Sequence, residues 1–290
     1  MSSPVQPGSV GPGAAAPGPG GLPGFLLAPL LLPIRYRLLV GQLTRRAVET
    51  RYRNSGLGLL WSLVTPLAMI LVYTFVFRRI FQMRWQQAGD SAAEFGIVLF
   101  AGLIMFWLFS DTVGRAPDMV VERAGYVKRV VFPLDVLAYV NLGAALFHWA
   151  VSLLVLVGAM AAVGMPLHPE LLYLPLLMVP FCLVLLGLSW LLAAVGVFLR
   201  DLGHVVSLAT TLLLFLAPIF YPLASVPPEF HAAIQLNPMT FVVEQTRDIV
   251  LWGRAPDFAA LGRYAAAGWG VALAGLFVFR RMRSGFNDVL

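Results

Sequence analysis

The chain has 290 residues, 59% of them hydrophobic and only 12% charged, with a mean hydropathy of +0.83 and a formal net charge of +6. A soluble domain carries roughly 25% charged residues, so this chain lacks the polar surface to meet water on all sides and must use lipid as part of its solvent. Its one cysteine, Cys182, excludes an intrachain disulfide and a Cys-rich metal site, and no soluble stretch is long enough to fold a nucleic-acid reader around the basic charge.

Residues 1–24 are almost entirely Gly, Pro, Ala, Ser and Val, with no charged side chain. Such a segment cannot bury enough surface to fold and reads as a disordered tail. It has no basic region ahead of an apolar core, so it does not read as a signal peptide. The apolar run Phe25–Ile34 is too short to span a bilayer and carries Pro29 and Pro33, which places it at the interface. Ile34–Asn54 is rich in arginine. At 100° per residue Arg35, Gln42, Arg45, Arg46, Glu49 and Arg53 share one arc, while Tyr36, Val40, Leu43 and Ala47 share the opposite one. That pattern predicts an amphipathic helix lying in the membrane interface with its arginines toward lipid phosphates. Arg37 and Arg51 fall on the apolar side, and a basic anchor with no specific ligand is the plainer alternative.

A helix needs about 20 apolar residues to cross the hydrocarbon core. Six stretches qualify: Leu59–Phe81, Phe95–Val113, Val136–Val163, Leu171–Leu199, Val205–Tyr221 and Phe258–Phe279. Pro175 and Pro180 predict a kink in the fourth. Alternate connections hold unequal basic charge. Arg35, Arg37, Arg45, Arg46, Arg51 and Arg53 fall on one side with Arg115, Arg123, Lys128 and Arg129, then Arg200, then Arg280, Arg281 and Arg283. Only Arg78, Arg79, Arg84, Arg247, Arg254 and Arg263 fall on the other. Both termini are therefore expected in the cytoplasm, in keeping with an even number of spans. Leu223–Trp252 is too apolar for a free loop and, with Pro227, Pro228 and Pro238, too broken for one helix. A re-entrant helical hairpin turning near Asn237-Pro238 satisfies both facts; an irregular external loop is the alternative.

The chain has no phosphate-binding glycine loop, no His-Glu-x-x-His pair, no Gly-x-Ser-x-Gly elbow and no EF-hand pattern. Its four histidines, His148, His168, His204 and His231, are scattered. The middles of the spans hold almost no ionisable groups, whereas ion-coupled transporters place such groups at the midplane. Energy for transport would therefore enter from a separate subunit.

Against this background Arg51-Tyr52-Arg53-Asn54-Ser55-Gly56-Leu57-Gly58-Leu59-Leu60-Trp61, followed by Pro66, resembles the entry to permeases of the ABC-2 type polysaccharide exporters, which serve O-antigen, teichoic acid and related polymers. The likeness continues at Tyr126-Val127-Lys128-Arg129-Val130-Val131-Phe132-Pro133, at Arg200-Asp201, at Pro218-Ile219-Phe220-Tyr221-Pro222, at Asn237-Pro238 and Arg247, and in the tail Gly285-Phe286-Asn287-Asp288-Val289-Leu290. The matches keep the family's order across residues 34–290. Two features depart from it: Glu122-Arg123-Ala124-Gly125 replaces an Asn-rich approach to the second motif, and the Gly/Pro/Ala tail is extra.

The resemblance implies an all-α membrane protein of six transmembrane helices, with the N-terminal amphipathic helix and the re-entrant hairpin between spans five and six. Residues 1–24 would be the tail, 25–57 the interfacial segment and 58–290 the transmembrane domain. It implies a bacterial inner-membrane permease, not itself an enzyme. The permease would pair with a second copy and with two ATP-binding subunits that hold the ATP and Mg, and would move a lipid-linked glycan. Arg115, Arg123, Tyr126, Lys128, Arg129, Arg200 and Asp201 would seat on those subunits. The local reading of Arg200-Asp201 is an ion pair at a helix end. Arg45, Arg46 and Arg53 are candidates for a lipid pyrophosphate, because a guanidinium fork pairs two phosphate oxygens while its stem lies along acyl chains. Trp61, Tyr73, Phe77, Phe215, Phe220 and Tyr221 are candidates to line a glycan channel, since sugar rings stack on aromatic faces; interfacial belts and core packing are their ordinary uses. Rival readings are an ABC-2 exporter of drugs or small lipids, and an intramembrane glycosyltransferase or ligase built on Glu244, Arg247 and Asp248.

Overall fold

A computed structural model of the chain describes residues 21–53, 56–80, 82, 85, 91–123, 125 and 132–290. These residues are helical and contain no strand. Two short helices, α1 (Gly21–Leu26) and α2 (Ala28–Arg35), lead into α3 (Arg37–Tyr52). The helical chain thus begins four residues inside the expected tail; the rest of that tail lies outside the described residues. Gly58, at φ 52° in the left-handed region, reverses the chain between α3 and the first long helix. A side chain there would be strained.

Among the described residues, five helical stretches are long and apolar enough to cross a membrane: Gly58–Ile80, Ala92–Gly114, Leu134–Val163, Pro169–Gly196 and Phe258–Val289. Their main helices are α4 (Trp61–Tyr73, continued by a π-helical Thr74–Ile80), α5 (Ala92–Gly114), α6 (Leu137–Val163), α7 (Leu174–Gly196) and, near the C-terminus, α11 (Phe258–Met282). The expected fifth span differs. It forms α8 (Leu202–Leu216), only 15 residues, about 22 Å long at the helical rise against roughly 30 Å of hydrocarbon. The helix stops because Ala217, at ψ 145°, turns extended just before Pro218, as residues preceding proline tend to do. Beyond it come α9 (Pro228–Gln235) and α10 (Pro238–Val250), and the short α12 (Phe286–Val289) closes the chain.

Helix α5 is apolar all round and is buried throughout Phe95–Phe106, as a helix without a polar face must be. Helices α4, α6, α8 and α10 surround it. Helix α7 pairs with α11 through glycine: a Cβ on Gly187 would overlap the backbone of Val271, and one on Gly275 the backbone of Gly187. Small residues here let two helices approach closely enough for van der Waals packing to hold them, which matters where lipid removes the hydrophobic drive. Helix α7 continues through Pro180, and Pro175 sits in its first turn, where a missing N–H costs nothing.

By contrast α4 buries only Pro66, and α8 only Val206 and Thr210. These two helices present most of their apolar surface outward.

Candidate functional site

The aromatic side chains of the first and fifth apolar stretches come together. Tyr73 and Phe77, one turn apart where the α-helix passes into π-helix, both pack on Phe220 from the turn after α8. Phe77 and Phe220 stack with centroids 4.9 Å apart and planes 12° from parallel. Tyr73 lies 5.9 Å from Phe220, and Phe215 lies 6.0 Å from it on the other side. The Tyr221 hydroxyl donates to the Phe215 carbonyl at 3.1 Å, tying the turn back to α8. Trp61 does not belong to this cluster. It sits twelve residues before Tyr73, about 18 Å along the helix axis.

The turn after α8 is held by Arg247 of α10, which is 4% exposed. Its guanidinium donates to the carbonyls of Pro218 (2.6 Å), Ile219 (2.7 Å) and Val98 (3.2 Å), and stacks over Trp85 at 4.4 Å. Carbonyls released by the early end of α8 would otherwise be buried without donors, at about 1–3 kcal/mol each. Gly102 leaves room for this side chain; a Cβ there would sit 2.9 Å from Nη2. Glu244, Asp248 and Arg254 rim a small cavity of about 260 Å³ beside it, with Asp248 and Arg254 paired at 3.5 Å. Three of the five Arg247 donors are thus spent on backbone carbonyls.

The segment between α9 and α10 turns at Asn237, whose side chain accepts from the Met239 N–H at 2.9 Å and caps α10. Thr240 donates to the Ile234 carbonyl at 2.6 Å, closing the two helices on each other.

The residues of α3 and its C-terminal cap differ in exposure. Val48 is buried and Val40, Leu43 and Ala47 are half-buried, while Gln42, Arg45, Arg46, Glu49 and Arg53 are exposed. The inner side packs on α6, where Gly143 admits Thr44. Arg45 is engaged by Glu49 at 2.7 Å; Arg45, Arg46 and Arg53 do not converge on one point among the described contacts. Arg51, off the polar arc, has the longer reach. It donates to Asp111 of α5 at 2.8 Å, and the same carboxylate accepts from Arg115 at 3.0 Å. The angular pattern of one helix could not reveal this cluster, because its carboxylate lies sixty residues away.

Of the expected motor-facing residues, Arg115 sits in that cluster and Arg123 donates to the Met119 carbonyl at 3.2 Å. Tyr126, Lys128 and Arg129 lie outside the described residues. Arg200 and Asp201 are exposed in the turn before α8, and no ion pair joins them among the described contacts. The far end of the connection is fixed instead. Asp135 accepts two hydrogen bonds from Arg280, at 2.8 and 2.9 Å, its backbone carbonyl accepts from Trp190 at 3.0 Å, and Arg283 donates to the Phe132 carbonyl at 3.1 Å. No group of three His, Cys, Asp or Glu side chains gathers as a metal site among the described residues.

Comparison with known proteins accords with this architecture. A family model described as ABC-2 type transporter matches residues 39–251. The chain is similar to the O-antigen export system permease protein RfbA of Myxococcus xanthus, 31% identical over 257 residues that cover 88% of this chain and 96% of that protein. It is 23% identical to an RfbA of Klebsiella pneumoniae over 89% of this chain and 99% of that one. It is 26% identical to the polysialic acid transport protein KpsM of Escherichia coli over 84% and 93%. The chain belongs to the ABC-2 type transporter family.

Proposed function

We propose that this chain is the membrane-spanning permease subunit of a bacterial exporter that moves a lipid-linked cell-surface polysaccharide across the inner membrane. A separate ATP-binding subunit would supply the energy and hold the nucleotide and Mg. The observation that carries the reading is the stack of Tyr73, Phe77, Phe220 and Phe215 on two helices that bury little within the protomer. Aromatic faces bind sugar rings without gripping one hydroxyl pattern, which suits a polymer that must keep moving. The relatives, named for O-antigen export and polysialic acid transport, support the same cargo.

In this reading two copies meet across the outward faces of α4 and α8 and enclose the path. Helix α8 with residues 217–221 makes a sixth crossing, and α9–α10 form a re-entrant hairpin at its outer end. Helix α3 lies in the cytoplasmic interface, where Arg45, Arg46 and Arg53 gather the lipid pyrophosphate. Both termini are cytoplasmic. The 115–135 connection, with Arg115, Arg123, Tyr126, Lys128 and Arg129, and the Arg200-Asp201 turn seat on the ATPase.

The test is deletion of the gene followed by complementation with wild type and with a Phe77→Leu/Phe220→Leu variant. Export predicts that deletion abolishes a surface polymer and that the variant, at equal membrane abundance, restores several-fold less of it. Unchanged surface glycan after deletion would overturn the export reading. Full restoration by the variant would remove the aromatics from the path.

A further inference from the structure

A cavity of about 480 Å³ lies between α4, α5 and α6, away from the aromatic stack and with no role in the reading so far. We propose that it is a binding site for the headgroup of a membrane lipid in which a sugar or other polyol is joined to the tail through phosphate. The lipid-linked glycan is the first source to consider, and in that respect the proposal rests on the export reading.

The volume is within the range of small-molecule pockets, roughly 300–1,000 Å³, and the lining is mixed. At the rim, where α3 meets the end of α5, Asp111 is shared by Arg51 and Arg115. Two guanidiniums against one carboxylate leave one positive charge in excess. Each arginine donates to Asp111 through one of its five N–H groups. Both side chains remain partly open, at 37% and 49% exposure. Arg51 itself lines the cavity, so an incoming phosphate finds there a planar fork already oriented by Asp111, the arrangement that favours bidentate recognition.

Three indoles also line the cavity, Trp61 from α4, Trp107 from α5 and Trp149 from α6. Trp107 and Trp149 are fixed from behind, by an edge contact with Phe100 and by a bond from Trp149 Nε1 to Met105 Sδ at 3.2 Å. Trp61, 44% exposed, is the open wall. Between the indoles lie hydroxyls already oriented. Ser62 donates to the Leu59 carbonyl at 2.7 Å and Ser152 to the His148 carbonyl at 2.9 Å, so their lone pairs are left as acceptors. Pro66 lines the same wall and has no N–H, so the Ser62 carbonyl lacks its usual helical donor and is a further acceptor. A phosphate donor, flat aromatic walls and acceptors in one cavity match a phosphate followed by a hydroxylated ring. A bare acyl chain would make no use of the acceptors.

The experiment uses the purified permease–ATPase complex in phosphatidylcholine nanodiscs. It measures binding of three probes: a short-chain polyprenyl pyrophosphate carrying a disaccharide, the same lipid without sugar, and phosphatidylglycerol. Trp61→Leu, an exposed position that spares the core, is expected to weaken the disaccharide probe about tenfold and leave the sugar-free lipid unchanged. Arg51→Gln is expected to weaken both by tenfold or more. If phosphatidylglycerol binds best and loses affinity with both variants, the site stands with ordinary phospholipid as its occupant. If neither variant changes any probe's affinity, the proposal is overturned. Binding is read on purified protein and export on cells, so loss of one result leaves the other to be judged separately.

Discussion

Arg247 Nη1 donates to the carbonyl of Pro218 at 2.6 Å across twenty-nine residues of sequence. This bond, with its neighbour to Ile219, lets α8 stop short and pass into a turn while the chain stays buried. Replacing Arg247 by Leu would strand three carbonyls, those of Val98, Pro218 and Ile219. The expected loss of stability is about 3 kcal/mol or more, from ~1–3 kcal/mol for each orphaned group. Arg247→Lys should fall between, because a single ammonium cannot span the three acceptors and stack on Trp85. Thermal unfolding in detergent checks this; a Leu variant as stable as wild type would mean the carbonyls find other donors.

Asp135 and Arg280 join the end of the 115–135 connection to the last long helix. Removing one partner of a buried pair typically costs ~3–5 kcal/mol. Arg280 keeps 25% of its side-chain surface exposed, so about 2 kcal/mol is the better expectation for Asp135→Asn. The double variant Asp135→Asn/Arg280→Gln should recover part of that loss, because the stranded charge is removed too. A double-mutant cycle on unfolding midpoints, with the singles adding to the double, would deny the coupling.

The division of basic residues between the two sets of connections predicts that position 128 and both termini face the cytoplasm. On a Cys182→Ala background, a cysteine at position 128 should resist an impermeant maleimide in intact cells and react after the membrane is opened. Labelling before opening would reverse the topology.

Much of this architecture was legible in the chain. The five long helices begin and end close to the expected bounds because a bilayer demands unbroken apolar length, a property of local composition. The turn at Asn237-Pro238 was announced by a capping residue followed by proline. The length of α8 was misjudged because hydropathy does not register where backbone donors come from. Val205–Tyr221 is apolar enough for a helix, but Pro218 and an arginine twenty-nine residues later make an extended end affordable in buried surroundings.

Sequence by itself determined that this is a helical membrane protein, which segments are long and apolar enough to cross a bilayer, and where the arginines crowd, since each follows from side-chain character counted along the chain. Only the tertiary structure decided which of those groups meet. Asp111 gathers Arg51 and Arg115, Phe220 lands on Phe77, and Trp61 joins the cavity of α4–α6 rather than the aromatic stack. Such encounters depend on how whole helices cross and rotate against one another, and the glycines of α7 and α11, pressed backbone to backbone, help fix that packing.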